Sequence, residues 1–218
     1  MRRSASTTRA AGSRRPITVS VALLALVACT HRPAQQPAEY LDSVTAASVS
    51  SVSTPIVFAR AHQDVAANSR QYATVVGASV NRSGHYEYLL LVYIWSTVDP
   101  RLGAGIHPGD TLVVLADDRA IRLQRDGRSL REAGIAKRLS APLHARGGPR
   151  IYRIDQTTML FIAGAHRLRM QLEGDGDTRP FDVWEDGRRA LEQLASAAIP
   201  DNGRRPGPAG RELERRIN

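Results

Sequence analysis

The chain has 218 residues, 42% hydrophobic and 23% charged, a composition that excludes both a disordered polyelectrolyte and a membrane-embedded bundle. Its formal charge of +9 suggests nucleic acid. But residues 1–28 hold five arginines and no acids, and residues 201–218 a further excess of two, so the stretch between carries only +2 and nucleic-acid binding is set aside. The single cysteine, Cys29, excludes an internal disulfide and any CxxC metal site.

The N-terminus reads as an export signal. Arg2, Arg3, Arg9, Arg14 and Arg15 precede an apolar run from Ile17 to Ala28, which at 12 residues falls short of the roughly 17 to 25 needed to span a hydrocarbon core. Arg14-Arg15-Pro16-Ile17 departs from a twin-arginine signal at Thr18, which leaves an ordinary basic n-region. The run closes on Leu26-Val27-Ala28-Cys29, which resembles the lipobox of bacterial lipoproteins. That resemblance implies cleavage after Ala28, a diacylglycerol thioether on Cys29 and fatty acylation of the new N-terminus. Thr30, not Asp, follows the cysteine, which in that class implies the outer membrane facing the periplasm in preference to the inner membrane.

Residues 29–54 are rich in Pro, Ser, Ala and Thr and read as a flexible tether. The globular domain is expected over 55–200, beginning at Pro55-Ile56-Val57-Phe58. Tyr72 to Val80 reads as a strand, Asn81-Arg82-Ser83-Gly84 as a turn, and Tyr86 to Val98 as a central strand buried on both faces, giving a hairpin. Thr111 to Leu115 and Ile121 to Gln124 read as further strands joined by a turn at Asp117-Asp118, and Ile151 to Ile154 as another. Residues 125–149 are polar and without period. Thr157 is placed to cap a short helix ending at Gly164. His166 to Glu173 alternates strictly, Phe181 to Trp184 is a short returning strand, and Glu185 to Ile199 switches to a helical period that Pro200 ends. Residues 201–218 read as a disordered basic tail. The expected fold is mainly β (α+β), an antiparallel sheet or β-sandwich with one C-terminal helix packed on it.

No catalytic, cofactor-binding or metal-binding residue emerges. The glycines of 103–109 precede a strand, where a dinucleotide loop would open a helix. Asp175 and Asp177 are followed by Arg179, where a calcium loop needs oxygen ligands, and so read as turn residues. The six histidines show no ligand spacing. Asp117-Asp118 and Glu185-Asp186 are adjacent pairs whose side chains point apart, which rules against an acid/base dyad. Tyr86, Tyr88, Tyr93 and Trp95 fall on both faces of one strand and read as core. One surface candidate remains: Arg119, Arg122, Arg125, Arg128 and Arg131 recur every third residue and could meet an anionic lipid or glycan. That period fits neither a strand face nor a helix face, and a solvated surface is the alternative reading.

The expected function is a non-catalytic binding or structural module of the envelope, held to the bilayer by acylated Cys29 and meeting an envelope protein, an anionic lipid or a glycan. The alternative is an envelope hydrolase with a site assembled from dispersed residues. A concave pocket of converging ionisable groups would favour the second, and an exposed patch or open sheet edge the first.

Overall fold

The computed structural model describes residues 36–61, 67–99, 111–173 and 180–197, all within one compact unit, Ala34–Asn218. The expected signal peptide, Cys29, the glycine-rich stretch 103–110, the turn expected at Asp175 and Asp177 and the tail expected over 201–218 lie outside the described residues. In chain order the elements are β1 (Ala38–Asp42), β2 (Ala47–Ser51), β3 (Ile56–Ala61), β4 (Arg70–Arg82), β5 (His85–Ser96), β6 (Thr111–Ala116), β7 (Arg119–Asp126), β8 (Arg150–Ile154), α1 (Gln156–Gly164), β9 (Leu168–Glu173), β10 (Phe181–Glu185) and α2 (Arg188–Ala197).

Every strand pairing is antiparallel. The order β3-β10-β9-β6-β7-β8-β5-β4 returns to β3, so eight strands close a barrel. This corrects the sandwich of the sequence reading, while the mainly β character and the C-terminal helix stand as expected. The physical reason is that a sandwich strand and a barrel strand show the same inward/outward alternation, and only the pairing partners distinguish them. Closure depends on β4, whose 13 residues pair along one whole edge with β5. Its other edge serves two neighbours, with Arg70 to Val75 pairing β3 and Ala78 to Asn81 pairing β2.

A second correction concerns the tether. Residues 38–51, read as flexible, form the β1–β2 hairpin that extends the sheet beyond β4. Ala47 and Val49 are fully buried, Val49 opposite Val80. Small side chains that look like linker in sequence here allow close packing against a neighbouring strand, so pairing overrides composition.

Local chemistry sets the turns. Arg82 pairs with His85, leaving a two-residue loop in which Ser83 (φ 52) and Gly84 (φ 88) both adopt the left-handed conformation of a type I′ turn. The Asn81 carboxamide oxygen accepts the Gly84 N–H at 2.9 Å. The α1 N-cap is Asp155, two residues before the expected Thr157, because its carboxylate accepts both the N–H and the hydroxyl of Thr158. α2 starts at Arg188, three residues later than expected, because Glu185 is held in β10 and Gly187 lies tight against the Pro55 backbone.

β5 is buried on both faces, as its sequence implies. Inside the barrel, Leu90 joins Ile56, Phe58, Val75, Leu112, Val114 and Met170 in an apolar layer that Ile162 of α1 and Leu191 of α2 plug from below. The residual cavity there is only about 10 Å³, the volume of one water at most, so the interior is a packed core. Outside, Leu89, Leu91 and Tyr93 are covered by the irregular segment 127–149, which contributes buried Ala133, Ile135, Leu139 and Ala145. Among the described residues no helix is long and apolar enough to cross a membrane.

Candidate functional site

The two ends of the barrel differ in chemistry. One end carries the helices: β3 begins there at Ile56, β8 leads there into α1, and Arg119 at the start of β7 lies 5.4 Å over the Phe161 ring of α1. Four residues along β3 stands Arg60, four residues back along β8 stands Arg150, and six residues along β7 stands Arg125. At about 3.3 Å per strand residue these lie roughly 13–20 Å from the helical end. Each shares the inward parity of its strand, since Phe58, Leu123 and Tyr152 belong to the core on the same faces. The opposite mouth of the barrel is therefore ringed by three arginines.

Arg60 and Arg150 are 7% and 9% exposed, which buries two guanidinium-bearing residues that proteins rarely bury. The Arg60 Nε donates to the buried Gln71 carboxamide oxygen at 2.7 Å, and its guanidinium carbon lies 4.3 Å above the Phe181 ring. Arg125 pairs in register with Tyr152, two positions from Arg150, so these two are diagonal neighbours on adjoining strands. All three arginines have polar or electrostatic partners. Guanidinium groups carry planar forks of donors that suit phosphate and carboxylate oxygens.

The predicted arginine run is dispersed by the strand period. Arg119 is held over Phe161 at the helical end. Arg122 faces outward and pairs with Glu173 at 2.5 Å. Arg125 turns inward to the mouth. Arg128, past the end of β7, bonds Asp126 and Glu87, with Arg153 joining both carboxylates. The Arg128 hydrogen bond is the main cause that holds the Asp126 carboxyl below its ordinary range. Arg131 is exposed. A spacing of three on a two-residue period alternates faces, so Arg119, Arg122 and Arg125 do not share a surface.

Arg60 and Arg150 were missed by the sequence reading. Their signal was present: Ile56, Phe58 and Arg60 alternate onto one face, as do Arg150, Tyr152 and Ile154, each placing a cation on an otherwise apolar stripe. Asp117 and Asp118 serve the β6–β7 turn, where Asp117 accepts the N–H groups of His166 and Arg167. Asp186 is bonded by Arg188, which lowers its pKa. Among the described residues no three His, Cys, Asp or Glu side chains gather as a metal site requires.

The aromatic residues include a feature the sequence reading did not separate from the core. Tyr93 is buried, but Trp95 and Tyr72 stack on the outer wall with centroids 4.3 Å apart, beside Gln71 and Ser96 at the mouth. The search of family models, of curated proteins and of solved structures returned no match to this chain.

Proposed function

We propose that this chain is a lipoprotein of the bacterial envelope, anchored through acylated Cys29, whose barrel is a non-catalytic binding module that takes an anionic group, phosphate or carboxylate, at its arginine-ringed mouth. The observation that carries the binding reading is the convergence of Arg60, Arg125 and Arg150 from three separate strands on one end of the barrel. Guanidinium forks on rigid strands bind such groups with little loss of side-chain freedom. The packed apolar layer around Leu90 and Met170, with a residual cavity of about 10 Å³, directs this reading to the rim. The lipobox residues Leu26 to Cys29 support the anchor.

Two measurements test the two halves separately. Intact mass of the membrane-extracted chain, beside Cys29→Ala, should show a chain starting at Cys29 with added acyl mass in the first alone; an unmodified mass sinks the anchor. Calorimetric titration with pyrophosphate should give saturable binding that weakens at least about tenfold, or 1.4 kcal/mol, in Arg125→Gln and Arg150→Gln. Absence of saturable heat, or binding in both variants unchanged from the parent, rejects the anion site.

A further inference from the structure

Among the described strands, every one but β1 pairs with at least two others, and β1 pairs with β2 alone. Proline, lysine and bulges, which commonly blunt such an edge, are absent from β1: its five residues match β2 in unbroken register. Leu41 is 73% exposed, with Ala38 and Glu39 exposed on the same strand. A free row of backbone donors and acceptors beside an exposed leucine is a template for another strand.

The chemistry of the strand says which one. Tyr40 and Asp42 lie on the face that segment 127–149 covers, where the Lys137 Nζ stands 3.6 Å over the Tyr40 ring and Asp42 accepts the Ala136 N–H. Glu39 and Leu41 alternate onto the other face. Opposite residues of an antiparallel pair share a face, so a two-fold axis that joins two β1 strands passes through a residue. An axis through Glu39 sets two glutamates against each other, and one through Asp42 two aspartates. An axis through Tyr40 brings two Lys137 ammonium groups together. An axis through Leu41 sets leucine against leucine and places Tyr40, with Lys137 above it, opposite Asp42 of the second copy. That register alone covers the exposed leucine and sets unlike charges across the pair.

We propose that two copies of this chain pair through β1, antiparallel about a two-fold axis at Leu41, to give one continuous sheet. The inference rests on the anchored reading for the concentration that so short an edge needs. Ala38 stands nine positions after Cys29, a span of at most about 30 Å. In the pair the two Ala38 positions lie roughly 20 Å apart. Both tethers therefore reach one bilayer, and confinement there raises the local concentration of edges.

The test is disulfide trapping of the full chain in its membranes, with copper phenanthroline as oxidant. Cys29 is the one cysteine of the chain, and as a thioether it leaves a single free thiol in each of Leu41→Cys, Glu39→Cys and Val44→Cys. The axis puts the two Leu41 Cα atoms about 5 Å apart, within disulfide range, so Leu41→Cys forms the chain-to-chain bond at least about tenfold more than the other two. Those stand roughly 13 Å or more from their own copies. Adding Lys137→Glu to Leu41→Cys turns attraction toward Asp42 of the second copy into repulsion and lowers the trapped fraction at least about threefold. Equal trapping at the three positions marks random collision and overturns the pair, as does capture of a different protein by Leu41→Cys or no effect of Lys137→Glu. An acylated chain that forms no such disulfide keeps the anchor and loses the pair. A chain that proves unacylated, yet with Cys29→Ala added still links at Leu41→Cys, keeps the pair and loses the anchor; one that is unacylated and does not link loses both.

Discussion

The Asp42 carboxylate accepts the backbone N–H of Ala136 at 2.7 Å across 94 residues of sequence. Its other oxygen takes the N–H groups of Val44 and Thr45, and the Thr45 hydroxyl donates to the Gly134 carbonyl at 2.8 Å. The β1–β2 hairpin thus clasps the irregular segment 127–149 against the barrel wall. Asp42→Ala leaves the Ala136 N–H without its acceptor and removes the bond that joins the hairpin to the segment. The expected outcome is a lower Tm and faster amide exchange at Ala136, with the exchange of β6 and β9 unchanged. Asp42→Asn, which keeps an acceptor oxygen, falls between.

The same carboxylate gives a pH dependence. Asp42 is held below the ordinary carboxylate range by the Ala136 N–H first and the turn amides after it, and Asp126 by Arg128. A carboxyl whose folded pKa is depressed contributes stability above its unfolded value of about 3.9, and loses it as pH falls through the folded value. Urea midpoints should therefore be level from neutral pH down to about 5 and fall below about 4. Asp126→Asn should flatten part of that acid limb, measured as a smaller loss of midpoint between those two regions.

Gly134 is held at φ +95, and a Cβ there would stand 2.7 Å from Val80 Cγ1 and 2.8 Å from Arg82 Nη2. Backbone strain and crowding act together, so Gly134→Ala should cost about 1–3 kcal/mol. Gly148 lies on the same segment with open space at its Cβ position, and Gly148→Ala should stay within about 0.5 kcal/mol of the parent. Equal costs for the two would contradict the packing of this segment.

Arg122 and Arg125 are three residues apart with opposite fates. The Arg122–Glu173 pair is well exposed, and its loss in Arg122→Ala should cost at most about 1 kcal/mol and leave pyrophosphate binding intact. Arg125→Gln should weaken that binding. Parallel calorimetric titration of the two variants checks the division.

Gly77 lies where a Cβ would come within 2.5 Å of Leu191 Cδ1 and 3.2 Å of Leu194 Cδ2. Gly77→Val should push α2 away from the barrel and cost about 1–3 kcal/mol, read as a lower urea midpoint and faster exchange along α2.

The sequence by itself determined the elements whose side chains carry a local period. β9 is announced by Leu168, Met170 and Leu172 on one face and arginines on the other, α2 by Leu191, Leu194 and Ala195, and the β4–β5 hairpin by two apolar runs around Ser83-Gly84. Each is a choice the backbone settles among near neighbours. The tertiary structure alone decided what depends on distant partners. β1 and β2 have too little apolar content to declare themselves and become strands because the far half of β4 offers an open edge. Closure into a barrel follows from which strands meet, and alternation is the same in a sandwich. The mouth arginines come from positions 60, 125 and 150. Strand alternation marks each as inward, but only the closed barrel with helices at its other end turns three separate residues into one ring of charge.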